Sequence, residues 1–248
     1  RILKIGATAA AVALVFVALP NTSASVAQAM EQVPVLGNLV SAVTFRDYQY
    51  DDGKNMADVD EPKLVAGDTD NANVAQSVTE VNAEIAAISE RYITEFENNM
   101  RNQGYQDITI KHEVISTTDD YFTLKLMCYQ AAGSGSEEDY YYTIDLATGQ
   151  RLALADLFKD GADYVTPISK NIKKQMRAQM KADENVMYWI DDPEVAESNF
   201  DAIAADQSFY LNDKGNIVIC FNEGDVGPMS MGCPSFEIPH KVVSDILK

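Results

Sequence analysis

Positive charge is scarce in this chain. Nineteen Lys and Arg stand against 38 Asp and Glu, a formal net charge of −19 over 248 residues. Binding to nucleic acid needs basic side chains that displace counterions from phosphates, so that class is excluded. An anionic membrane surface is disfavoured for the same reason. Histidine is scarcer still, with two in the whole chain. His112 lies in Lys111-His112-Glu113-Val114-Ile115-Ser116, and a zincin would need its second imidazole where Ser116 stands. His240 follows Pro239 and reads as an exposed terminal residue. Only three cysteines occur, with no C-x-x-C and no zinc spacing. No P-loop and no G-x-G-x-x-G is present. Gly133–Glu137 ends on Glu137 where a nucleophile elbow would close on glycine, and Pro228–Gly232 opens on proline. Asp58-x-Asp60 is followed by Pro62 and Asp68-x-Asp70 by Ala72, so neither fits a calcium loop. Carboxylate pairs are too numerous to be specific. The chain is therefore expected not to be an enzyme, and no cofactor and no metal are expected.

Hydrophobic residues, by contrast, make up 46% of the chain, enough for one or two domains with a real core. The excess of acid is expected to attract cationic partners and speed their encounter. The chain begins at Arg1 rather than Met, as a fragment or processed form would. Arg1 and Lys4 precede an uncharged run of fifteen residues, Ile5 to Leu19. At about 1.5 Å per residue it covers roughly 22 Å, and extension to Val26 covers a bilayer core of ~30 Å, with Lys4 snorkelling. Small residues follow, and Ala27-Gln28-Ala29 fits the A-x-A pattern of signal peptidase. Ser25-Val26-Ala27 fits nearly as well. Residues 1–29 are thus either a cleaved export signal or a single membrane anchor with a cleavage site at Ala27 and Ala29 just outside it.

Beyond this segment, residues 31–45 read as a short helix or extended lead-in. Residues 51–73, acidic and rich in turn formers, read as a linker, so that 30–73 is a juxtamembrane segment. From Val74 the apolar period becomes three and four: Val74, Val78, Val81, Ile85, Ile88, Tyr92, Phe96 and Met100 predict a long amphipathic helix. Strands are predicted at Ile108–Ile115 and Tyr121–Tyr129. In the second, Phe122, Leu124, Leu126 and Cys128 share one face, which makes Cys128 a buried thiol. Residues 131–139 read as a flexible acidic loop. Tyr140–Leu146 reads as a strand.

A second helix carries Val165, Ile168, Ile172, Met176 and Met180 on one face, with Pro167 in its first turn. Phe200–Ala205 reads as a shorter helix, and Phe209–Leu211 with Asn216–Phe221 as a hairpin. Glu223–Ser235 is a loop, Phe236–Ile238 a strand, and His240–Leu247 a terminal helix. Cys220 and Cys233 leave a bridge between them open. The pattern is α+β: two helices on mainly antiparallel sheet, after one N-terminal membrane or signal helix. The folded part divides into 74–139 and 140–248.

Several stretches taken together resemble a known family. They are Met30–Val35 with Thr44-Phe45-Arg46, Tyr142–Leu146, Asp156-Leu157-Phe158 and Asp206–Tyr210. To these are added Phe221-Asn222-Glu223 leading to Gly232, and Phe236–Pro239. The chain resembles, over nearly its whole length, the extracytoplasmic region of the anti-sigma-V factors, lysozyme-sensing regulators of Gram-positive bacteria. The C-terminal half also resembles a domain of other exported proteins. The resemblance implies a single-pass membrane protein without cofactor, its folded domain outside the cytoplasm. That domain would bind lysozyme or a similar cationic cell-wall-active protein. Binding would open a site near the membrane to signal peptidase, and intramembrane proteolysis would then release an extracytoplasmic-function sigma factor held by a preceding cytoplasmic segment.

Loops are the natural contact surface. The candidates are Ser134, Ser136 and Glu137 in Ala131–Glu138, and Pro228, Met229 and Met231 in Glu223–Cys233, where methionine adapts to irregular surfaces. The second loop departs from the family's usual pattern in having no aromatic residue from Val226 to Cys233. The alternative is an exported, non-catalytic binding domain, cut constitutively, with no sigma factor.

Overall fold

The structure, a computed structural model, describes residues 39–100 and 104–248. The apolar segment, Ala27, Ala29 and the lead-in up to residue 38 lie outside the described residues. Among the described residues no helix is long and apolar enough to cross a membrane.

Strands β1 (Val40–Asp51), β2 (Asn55–Ala66), β3 (Gln106–Thr117), β4 (Tyr121–Ala132) and β5 (Ser134–Asp145) form a sheet in that order. β1 and β2 are antiparallel, with a register shift between Thr44 and Arg46, whereas β2 and β3 run parallel. β6 (Phe209–Leu211), β7 (Ile217–Cys220) and β8 (Ser235–Ile238) form a second, antiparallel sheet. Two helices are long, α1 (Ala72–Asn99) and α2 (Val165–Ala182). The α+β class with mainly antiparallel sheet is therefore as expected. The chain gathers into two compact units. One holds residues up to His112 with Cys128–Gly135, the other Glu113–Met127 with Ser136–Lys248.

In the first unit, α1 lies against β2. Its apolar stripe accounts for this: Val74, Val81, Ile85, Ile88, Tyr92 and Phe96 are buried, while Val78 and Met100 are half-buried. Asn71 caps the helix by accepting from Asn73 N–H at 3.0 Å. Asn82 fixes helix to strand, accepting from Leu64 N–H at 2.7 Å and donating to Leu64 C=O at 2.9 Å.

The expected linker 51–73 is instead mostly strand, because its acids serve a tight turn. Asp51 accepts from Gly53 N–H at 2.7 Å, and Asp52 accepts from Lys54 and Asn55 N–H at 2.9 and 2.7 Å. Those donors, Asn55 first, hold the Asp52 carboxyl down to about 2. Gly53 supplies the positive φ of 81° the turn requires. Beyond it Asn55, Ala57, Val59 and Glu61 alternate inward on β2. His112 stands 3.6 Å from Asp60, an acid rather than a second imidazole.

The second unit packs Ile168, Ile172 and Met176 of α2 with Phe209, Leu211, Ile217, Ile219, Phe236 and Ile238 of the small sheet. Phe221 joins this core through edge-on contacts to Phe200 and Phe236 at 5.4 and 5.9 Å between ring centres. Phe122, Leu124, Leu126 and Thr123 of β4 are buried, and Thr123 bonds Thr143 of β5 at 3.0 Å between hydroxyls. Cys128, in the first unit, is also buried, as its alternation required.

Two short helices expected here are absent. Residues 200–204 are irregular, since Ile203 N–H donates to Ser169 Oγ at 3.0 Å on α2 rather than to a helical carbonyl. The terminal segment makes one 3-10 turn, His240–Val242, whose first residue is exposed. It then pairs back: Lys159 N–H donates to Ile246 C=O and Lys248 N–H to Leu157 C=O. So short a segment gains more from those bonds than from an isolated helix.

Candidate functional site

The two segments singled out from sequence differ in form. Residues 134–139 are not a loop, since β5 begins at Ser134 directly after Gly133, whose φ is 100°. Ser134 is exposed, and Ser136 and Glu137 are half-buried. The second segment is a loop, with a 3-10 turn at Met229–Met231. It is held at both flanks. Trp189 N–H donates to Val226 C=O at 2.9 Å. Met187 N–H points to Met231 Sδ at 3.4 Å. Gly227 packs so close that a Cβ there would sit 2.6 Å from Met187 C=O. Met229 is 46% exposed and Met187 53%. Pro228, half-buried, leads into the turn.

Within the second unit this loop closes onto β5. Asp139 N–H donates to Asn222 Oδ1 at 2.8 Å, and Glu137 N–H to Glu223 Oε2 at 3.1 Å. Cys233 Sγ donates to Glu137 C=O at 3.6 Å. β5 is the last strand of its sheet, and its outer N–H groups at 137 and 139 are thus satisfied by side chains of the loop.

Beneath these contacts lies a group of ionisable side chains. Asp139 is 2% exposed, and its Oδ2 lies 2.6 Å from Lys125 Nζ on β4. Tyr141 Oη donates to the same oxygen at 3.3 Å. Asp139 Oδ1 has no hydrogen-bond partner among the described residues. The Tyr141 ring stacks on Tyr210 at 5.9 Å. One carboxylate oxygen each of Glu137 and Asp139 and the Cys233 sulfur lie within 4.8 Å of one another.

Burial, then Asp139, push the Glu137 carboxyl up. Burial, then Asp139 and Glu137, push the Cys233 thiol up to about 12, and burial pushes Cys220 up to about 12. Burial and then Cys220 raise Tyr141. Both cysteines are thus thiols at neutral pH, the wrong state for nucleophilic chemistry. None of the three cysteines is in a disulfide. Of these groups, sequence reasoning singled out Glu137 but not Asp139, Lys125 or Tyr141. Alternation through Tyr141, Asp139 and Glu137 was the available signal, obscured by reading 131–139 as a loop.

The second unit contains residues 155–241, which match the family described as "Protein of unknown function (DUF3298)". The fold agrees with that match. A DUF3298 family member from Bacteroides fragilis superposes with a TM-score of 0.58 at 17% identity, covering 86% of this chain and 95% of that one. A DUF3298 protein from Pseudomonas aeruginosa PAO1 gives 0.58 at 14% identity, covering 86% and 96%. These define a class, an α+β fold ending in this domain. Sequence narrows it: the chain is 34% identical to anti-sigma-V factor RsiV of Bacillus subtilis (strain 168) over 241 residues, 96% of this chain and 82% of that protein. The chain belongs to the anti-sigma-V factor family.

Proposed function

We propose that this chain is the sensor part of a membrane-anchored anti-sigma factor, a non-catalytic regulator. It binds lysozyme or another cationic cell-wall-active protein outside the cytoplasm and gates cleavage by signal peptidase at Ala27 or Ala29. Release of an extracytoplasmic-function sigma factor follows. The similarity to an anti-sigma-V factor along 96% of the chain carries this reading. The apolar segment ahead of Ala27 fits the anchor. The net charge of −19 suits a cationic ligand. In the second unit Met229, exposed, is proposed as a direct contact, together with Ser136, Glu137, Pro228 and Met231; in the first unit exposed Ser134 is proposed as a contact of its own.

The test is calorimetry with lysozyme at low and moderate salt, paired with a cleavage assay. Binding that weakens with salt and promotes a cut near Ala29 is expected. Met229→Ala should cost about 1 kcal/mol or more of that binding. No binding at low salt overturns lysozyme as ligand.

A second reading is an exported binding domain, cut routinely and with no sigma factor. The observation behind it is that residues 155–241 match a domain family, DUF3298, described only as of unknown function. N-terminal sequencing from unstressed cells separates the two, since a mature chain starting at Gln28 or Met30 without ligand supports the second.

A further inference from the structure

We propose that Glu137, Asp139 and Cys233 form a site for one divalent, thiophilic transition-metal ion, zinc being the occupant their donor set fits best. Glu137 and Asp139 are two apart on β5 and so project to the same face. Cys233 reaches them from the loop that precedes β8. One ligand atom from each lies within 4.8 Å of the others. Tetrahedral zinc holds sulfur at about 2.3 Å and carboxylate oxygen at about 2.0–2.2 Å, so the three ligand atoms would draw closer together to close the site. Water supplies the fourth position.

A separate observation points to a ligand here. Asp139 is 2% exposed, yet its Oδ1 has no hydrogen-bond partner among the described residues. Its other oxygen is already engaged by Lys125 and Tyr141. A buried carboxylate oxygen left without a donor is unfavourable unless something cationic meets it. The local charge agrees. Glu137, Asp139 and Glu223 all act on one another or on Cys233, and Lys125 brings a single positive charge against them. A dication offsets most of the negative charge, including that of the thiolate formed on binding, and the sulfur selects a thiophilic ion over calcium or magnesium. On binding, the metal–sulfur bond forms as the S–H bond breaks, and the proton leaves to solvent. The ion would tie the loop 222–234 to β5, fixing the segment that presents Met229. This departs from the sequence expectation of no metal.

The test uses the 248-residue chain in detergent, reduced and stripped by chelator. It is titrated with Zn²⁺ against a chromophoric competitor, and separately with Co²⁺. One equivalent of zinc at micromolar affinity or tighter is expected, with a thiolate-to-cobalt charge-transfer band in the near ultraviolet. Cys233→Ser should abolish that band. Loss of an outer-shell partner alone weakens metal sites about 10–100-fold, so Cys233→Ser and Glu137→Gln should each cost at least that much. Cys220→Ser should leave both readouts unchanged. Circular dichroism of each variant guards against misfolding, and Glu137→Gln, near-isosteric at a half-buried position, provides the second reading. Absence of stoichiometric uptake overturns the proposal. So does uptake that survives Cys233→Ser, or a cobalt band that follows Cys220.

Discussion

Among the described residues each unit buries one carboxylate, and the two are treated differently. In the first, Glu61 is 4% exposed, with its Oε2 at 3.8 Å from Arg46. Arg46 lies closer to Glu90, at 3.1 Å. Glu61 is therefore loosely compensated, and burial, outweighing Arg46, pushes its carboxyl up. In the second, Asp139 is buried as deeply but held by Lys125 at 2.6 Å. A buried acid can be tolerated by taking up a proton or by capturing a cation. Only the second choice makes the fold depend on one particular partner.

The largest effect expected from this contrast follows Lys125→Met. It strands the Asp139 charge and should remove about 3–5 kcal/mol, read as a lower urea midpoint. A loss under about 1 kcal/mol would mean the two carboxylates are alike after all. Arg46→Met should cost far less, about 1 kcal/mol or under, because its partners are loose or exposed. The smallest change concerns Glu61→Gln, best seen as a slope. With its folded pKa raised, the native state holds more protons than the unfolded chain. The Glu61 contribution is thus full below the unfolded value and lost as pH rises through the raised one. Urea midpoints collected across mildly acidic pH should fall less steeply for Glu61→Gln than for the parent. Equal slopes would show that folding leaves the Glu61 pKa unshifted.

Much of this was legible where periodicity is strong. The stripe from Val74 to Phe96 fixed α1, and the alternation from Phe122 to Cys128 fixed β4 and the burial of its thiol. β2 was not, because Ala57 is small, Pro62 interrupts the run, and the acids at Asp51 and Asp52 look like a solvated linker unless their turn bonds are known. The start of β5 was missed for a related reason. Ser134–Asp139 has a loop's composition, and what makes it a strand includes Asn222 and Glu223, 83 and 86 residues away. The same distance hid the candidate site. Glu137 and Cys233 are 96 residues apart, so no local spacing could announce them. Residues 200–204 failed in the opposite direction, with a helical pattern overridden by one serine on α2.

The closure of β5 by side chains bears on how two copies of the chain could meet. A terminal strand with a bare row of N–H and C=O groups is a template for the same strand of a neighbouring copy. Here Asn222 and Glu223 occupy two of those donors, and Leu152 N–H occupies the carbonyl of Thr143 at 2.9 Å. A neighbouring copy would therefore meet a strand whose groups at 137, 139 and 143 are already taken, by residues outside any strand.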